Sequence, residues 1–255
     1  MRLAHRFDGD PAAPVLLLSG SLGSTLAMWE PQLPLAGRFR LLRYDHPGHG
    51  SSPPASGPLT IDDLGGGVVE LLDELELERV SFGGVSLGGM VAMWLASRAP
   101  DRIERLVLCC TAPRLGPREF WDERAELVRR EGMAAVADTV VGRWFTPQFH
   151  ETQPAVVDRH RAMLVSTDPE SYARCCEAIR DLDLRDDLNA IAAPTVVIAG
   201  AEDPSTPVEH AETIARGVPG SRLVVVPDAA HLANVEQADA VNRAMLDHLA
   251  AVQAA

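Results

Sequence analysis

A serine held between glycines two positions away on each side, Gly84-Val85-Ser86-Leu87-Gly88, is the segment best suited to covalent chemistry. A serine hydroxyl is a weak nucleophile until a neighbouring base takes its proton, and that base needs an acid to orient it. The glycines answer a geometric need. Lifting a serine clear of a sheet takes a tight strand-to-helix turn, and a missing Cβ on either flank lets adjacent backbone approach. The apolar run Val80 to Val85 leads into the serine, and a helical stretch from Leu87 to Arg98 leaves it. This context separates a nucleophile from a glycine-rich turn with a bystander serine. The N–H groups opening that helix also point at developing negative charge.

Base and acid are sought downstream, because doubly wound hydrolases order the chain as serine, acid, histidine. Gly200-Ala201-Glu202-Asp203-Pro204 closes one apolar run, and Pro227-Asp228-Ala229-Ala230-His231 follows another. Both sit beyond strand ends, where open parallel sheets bind ligands. Asp203 is preferred as the acid because the following proline and turn hold it at the sheet edge; Glu202 is the alternative. His231 is the base. His160, His210 and His248 fall on predicted helices and His5 and His150 lack motif context, so all five are read as surface or packing residues. His46 and His49 lie in a turn, Asp45-His46-Pro47-Gly48-His49-Gly50, with no cysteine or carboxylate pattern to complete a metal site. They are expected to hydrogen-bond within that turn, and no metal or cofactor is expected. For an oxyanion hole, one donor is the Leu87 N–H, directly after the nucleophile. The other comes from the loop Ser19-Gly20-Ser21-Leu22-Gly23-Ser24, with the Ser21 N–H preferred and Leu22 next.

These residues need a frame, and the pattern supplies one. Pro14–Gly20, Phe39–Asp45, Arg79–Val85, Arg105–Cys110, Pro194–Gly200 and Arg222–Val226 read as strands. Helices are predicted from Thr60, with Asp63 as its capping partner, from Leu87 to Arg98, from Pro207 to Arg216 and from about Val235 to Ala250. Gly65-Gly66-Gly67 weakens the first turns of the helix after Thr60; close packing against the sheet is the expected reason. Strands separated by single helices imply right-handed crossovers and a mostly parallel sheet flanked by helices. From Pro113 to about Ile191 only amphipathic helical stretches appear. The expected class is therefore α/β, with a core of residues 1–112 and 192–255 and a helical lid of residues 113–191 inserted after the fourth predicted strand.

Composition narrows the function. Among 255 residues, 36 acidic groups outnumber 23 basic ones, for a net charge of −13. That excess argues against nucleic-acid binding. Every basic residue is arginine, and the absence of lysine excludes Schiff-base chemistry and the phosphate-loop lysine. No apolar run reaches the roughly 20 residues needed to span a bilayer, and the N-terminus is charged where a secretory signal would be apolar. The pairs Cys109-Cys110 and Cys175-Cys176 lack redox or zinc spacing and suit buried thiols in a reducing compartment. A cytoplasmic protein is expected, with its oligomeric state open and the lid a surface on which copies could pair.

The chain resembles the α/β-hydrolase superfamily, and within it the 3-oxoadipate enol-lactonases. The likeness rests on the elbow from Gly84 through Trp94, on Ser19-Gly20-Ser21-Leu22-Gly23 in place of the commoner His-Gly start, and on Met28-Trp29-Glu30-Pro31-Gln32. Tyr44 through Gly50, Trp121 with Arg124, Arg143-Trp144-Phe145-Thr146-Pro147 and Gly200 through Pro204 extend it over nearly the whole chain. The resemblance implies an α/β-hydrolase fold, a Ser86–His231–Asp203 triad and a small anionic lactone or ester as substrate. A serine nucleophile also sets the chain apart from the superfamily's aspartate-nucleophile dehalogenases and epoxide hydrolases. A carboxylesterase, a cofactor-free perhydrolase, a carbon–carbon bond hydrolase and a ligand receptor of the same fold remain alternatives.

A protein at −13 does not draw in an anion from afar, so recognition must be local, and arginine is the available cation. Trp121 and Arg124 lie three apart on a predicted helix and share a face. Arg143 and Trp144 are adjacent and are expected to face different ways. Either arginine would hold the carboxylate, with a tryptophan lining the pocket; the alternative for each arginine is a surface ion pair.

Overall fold

Short apolar runs with no polar face have to be covered on both sides, and a parallel sheet between helices does this. The computed structural model describes residues 1–250, so the last five residues of the expected core lie outside the described residues. Within it the six predicted runs become β2 (Val15–Ser19), β3 (Arg40–Tyr44), β4 (Val80–Val85), β5 (Ile103–Cys109), β6 (Thr195–Gly200) and β7 (Arg222–Val226). A further strand, β1 (His5–Asp8), was not foreseen. The sheet order is β1-β3-β2-β4-β5-β6-β7, parallel throughout except for β1, which runs antiparallel to β3. Leu16, Leu17 and Leu18 of β2 and Leu41 and Leu42 of β3 are fully buried, and every position of β4 and β6 is buried.

The missed strand has a physical explanation. His-Arg-Phe-Asp carries no apolar run, and its place depends on a distant partner: Asp8 accepts from Arg43 Nε at 3.0 Å and Nη2 at 2.5 Å. A short, charged edge also resists pairing with other chains.

The helices are α1 (Ile61–Glu74), α2 (Leu87–Arg98), α3 (Arg118–Glu131), α4 (Ala134–Trp144), α5 (Pro147–Thr152), α6 (Pro154–Val165), α7 (Pro169–Asp181), α8 (Val208–Gly217), α9 (Ala233–Glu236) and α10 (Ala238–Leu249). Thr60 and Asp63 form the reciprocal cap of α1. The glycine triplet in α1 serves a different contact from the one expected. A Cβ on Gly65 would overlap the Trp94 ring of α2, Gly67 faces the Met1 side chain, and nothing crowds Gly66. Helix packs on helix there, not on the sheet.

The helical insertion, α3 to α7, falls between β5 and β6. The expected final helix is in fact two, broken at Gln237, whose φ of −122° and ψ of 53° leave the helical range. Among the described residues no helix is long and apolar enough to cross a membrane. All four cysteines are free and buried, and burial pushes the Cys175 thiol up to about 12.

Candidate active site

The turn between β4 and α2 sets Ser86 at φ 55° and ψ −117°. A β-carbon residue held there is strained, and strain of this kind persists only where surroundings impose it. Here backbone imposes it. A Cβ on Gly84 would overlap the Gly88 carbonyl, and one on Gly88 would overlap the carbonyl of Ser19, the last residue of β2. The Gly88 N–H donates to Gly20 O at 3.0 Å, and Thr111 Oγ1 donates to Ser86 O at 2.7 Å. The elbow and the neighbouring loop are thus packed backbone to backbone.

Beyond β6, Asp203 is buried while Glu202 is exposed. Asp203 Oδ2 lies 2.8 Å from His231 Nδ1 and accepts from Thr206 Oγ1 at 2.6 Å. Its Oδ1 accepts the Ser205 and Thr206 N–H groups at 2.7 and 3.0 Å. Burial by itself would raise this carboxyl. The charge and hydrogen bond of His231, with the Thr206 donors, outweigh it and bring the group down to about 2. Ionised, Asp203 can only accept, so the proton sits on His231 Nδ1 and Nε2 presents a lone pair. Ser86 and His231 border one cavity of about 290 Å³.

Ser21 and Leu22 border that cavity too, but their N–H groups differ. The Ser21 N–H points at Met28 Sδ, 3.3 Å away, whereas the Leu22 N–H has no partner among the described residues. Of the two, the Leu22 N–H is the one left without an acceptor, whereas the order expected from sequence put Ser21 first. Leu87 opens α2, where the first N–H groups have no acceptor within the helix.

The turn holding His46 and His49 braces this loop. His49 Nδ1 donates to Pro47 O at 2.9 Å, and Nε2 accepts the Gly23 N–H at 3.0 Å; His46 Nε2 lies 3.1 Å from Gly20 O. Burial pulls His49 down to about 4 and His46 to about 3, the latter also lowered by His49. Their folded values lie below the unfolded value of about 6.5, so the unfolded chain protonates first as pH falls. The contribution of these two histidines to stability is flat above pH ~6.5 and declines below it, by up to about 1.4 kcal/mol per pH unit for each of the two. Chemical denaturation at pH 7.5, 6 and 5 checks this, with a shallower slope expected for His49→Gln; equal stability at all three would refute it.

From the insertion, Trp121 and Arg124 of α3 face the cavity together, as their spacing requires. Arg143 and Trp144, the last two residues of α4, also both border it, contrary to expectation. Arg124 Cζ lies 4.6 Å from the Phe120 ring centroid and 5.2 Å from that of Trp121, and Arg143 Cζ is 5.5 Å from that of Phe120. Among the described residues neither arginine forms an ion pair, and no Asp or Glu lines the cavity.

Against this geometry, a family model described as the alpha/beta hydrolase fold matches residues 13–238. The chain belongs to the α/β-hydrolase family. It is 39% identical over 238 residues to 3-oxoadipate enol-lactonase 2 of Acinetobacter baylyi, covering 93% of this chain and 89% of that one. The enol-lactonase of Burkholderia xenovorans LB400 superposes with a TM-score of 0.95 at 44% identity, covering 97% of this chain and 96% of the other. A hydrolase of Pseudomonas aeruginosa PA01 gives 0.94 at 49% identity, covering 97% and 94%.

Among the polar groups at this α/β-hydrolase site, Tyr172 carries no sequence signal. Tyr172 of α7 is wholly buried, borders the cavity, and its hydroxyl has no partner among the described residues; the same holds for Trp121 Nε1. A lone tyrosine in an amphipathic helix reads as core. The helical period places it on the buried face but says nothing of which cavity it meets. Thr206, three residues after Asp203, was likewise unforeseen; an Asp-to-Thr spacing in a turn is the one cue that could have found it.

Proposed function

We propose that this α/β-hydrolase is a serine hydrolase that opens 3-oxoadipate enol-lactone to 3-oxoadipate. The observation that carries the substrate half is the cavity of Ser86 and His231, lined by two arginines without carboxylate partners and by no acidic residue. In a chain of net charge −13 such a lining suits an anion. The enol-lactonase relatives narrow the class to a small lactone.

His231 Nε2 takes the Ser86 hydroxyl proton as Oγ attacks the lactone carbonyl, and Asp203 holds the imidazole in the required tautomer. The Leu87 N–H and a loop N–H, Leu22 before Ser21, hold the oxyanion. The ring C–O bond breaks and the enol oxygen leaves with a proton from His231, to become the ketone. Water, giving its proton to His231, then releases the acyl group and restores Ser86. Residues 113–191 act as the lid over this site. Arg124 binds the substrate carboxylate, Trp121 Nε1 and the Tyr172 hydroxyl are the neutral donors beside it, and Arg143 and Trp144 form the rim.

Steady-state turnover of the lactone beside 4-nitrophenyl acetate, with the Ser86→Ala protein as blank, tests this. Lactone turnover well above ester turnover, lost in the blank, is expected. Ester cleavage without lactone cleavage would retain the serine hydrolase and move the substrate toward a carboxylesterase. In the same assay Arg124→Ala should lower kcat/KM for the lactone by about 10–100-fold, the worth of a charge-assisted hydrogen bond. It should leave the neutral ester within twofold. An equal loss on both would remove Arg124 from carboxylate recognition.

A further inference from the structure

His231 is held by its neighbours on both sides, and both holds run to one short segment of the insertion. On one side, the Ala230 N–H donates to Glu236 Oε2 at 2.8 Å. The other oxygen of that carboxylate, Oε1, accepts the Thr146 N–H at 3.0 Å and the Thr146 hydroxyl at 2.5 Å. On the other side, the Leu232 N–H donates to Trp144 O at 2.9 Å. Thr146 is itself buried and caps α5 through its hydroxyl, and Trp144 borders the substrate cavity.

The break in the last helix belongs to this arrangement. Because α9 ends at Glu236, that side chain can turn back beneath the histidine loop, and Gln237 anchors the break by donating to Asp228 O at 2.8 Å. A continuous helix would remove the hold on that side of His231.

We propose that Glu236 is a positioning residue: its carboxylate clamps the Ala230–His231 loop to the α4–α5 junction, so that the placement of the base and the placement of the pocket rim are set together. The inference rests on His231 being the base of the proposed reaction. A carboxylate accepts from both sides at once, which neither a glutamine nor an alanine can do, since a glutamine would turn an NH2 group toward one of the N–H donors. Loosening the clamp lets the imidazole drift from the serine, and a misplacement of about 1 Å in such a pair costs on the order of 10²-fold in rate. It also follows that the α4–α5 junction stays with the core when substrate enters, so that any opening of the cavity must come from other parts of the insertion.

The test is Glu236→Gln beside Thr146→Val, which removes only one of the three donors. Expected for Glu236→Gln is a fall of about tenfold or more in kcat for 4-nitrophenyl acetate with KM within twofold, and a matching fall in Ser86 labelling by a fluorophosphonate. Thr146→Val should give a smaller loss of the same kind. The downfield proton resonance of His231 Nδ1–H, hydrogen-bonded to Asp203, should shift or broaden in both variants. A lower melting temperature with kcat, labelling and resonance unchanged at a temperature where the protein is folded would overturn the proposal. Should Glu236→Gln not fold, Thr146→Val decides alone. If wild-type Ser86 failed to label, the hydrolase reading would fall, and the resonance would still decide whether Glu236 sets His231.

Discussion

Asp203→Asn should reduce kcat by about 10⁴-fold while Glu202→Gln leaves it within twofold. Asparagine keeps the size and most of the contacts of aspartate, so the loop around it can persist. It offers an N–H2 group where the native chain has an acceptor, so His231 is driven to the tautomer with its proton on Nε2, and the lone pair facing the cavity is lost. The native carboxylate is fixed by four contacts, two from the Ser205 and Thr206 N–H groups, one from the Thr206 hydroxyl and one from His231. With its carboxyl at about 2, Asp203 remains charged across the range in which the protein would be assayed. Loss of activity on mild acidification would then not be due to this group. The exposed Glu202 next to it has no such contacts. Steady-state kinetics of the two variants with 4-nitrophenyl acetate decide the matter. A large loss in Glu202→Gln with Asp203→Asn near wild type would reverse the roles.

The residues of this site differ in how far the sequence exposes them, and the difference follows from what holds each one. Ser86, Asp203 and His231 lie directly past strand ends that are short apolar runs, so locating the runs locates the residues. The engagement of the Ser21 N–H was not legible. It depends on Met28, seven residues after Ser21, whose sulfur occupies the Ser21 N–H; the 3₁₀ segment Leu26–Gly37 that carries Met28 contains two prolines and no helical period. Strand β1 was hidden because its stability lies in Arg43 and the edge of β3 rather than in its own four residues. Glu236 looks like one more acidic residue on an exposed helix, and only the break after α9 turns it inward. Side chains fixed by local chain geometry were readable; those fixed by contacts across the fold were not.

Gly88→Ala should be more damaging than any other single methyl group added near the site, with kcat down by at least about 10²–10³ in whatever protein remains soluble. The reason is the direction of the missing Cβ. It would enter the space of the Ser19 carbonyl oxygen and carbon, which are backbone atoms of the central strand β2 and cannot swing away as a side chain would. Relief requires α2 to move off the loop after β2, and that movement breaks the Gly88 N–H bond to Gly20 O. The Leu87 N–H, one residue earlier, and the Leu22 N–H, two residues after Gly20, would then separate, so both proposed oxyanion donors are disturbed by one substitution. Ser86 would lose the constraint that keeps it at a positive φ, at a further cost of about 1–3 kcal/mol in the balance between strained and relaxed turns. Gly66→Ala is the control, because nothing lies within 4 Å of the added carbon and the site is an ordinary helix interior, where alanine is favoured. Thermal melts and nitrophenyl acetate kinetics on both proteins separate the effects. Full activity in Gly88→Ala would mean that β2 and α2 can part without cost, and that the backbone packing described above does not hold the elbow.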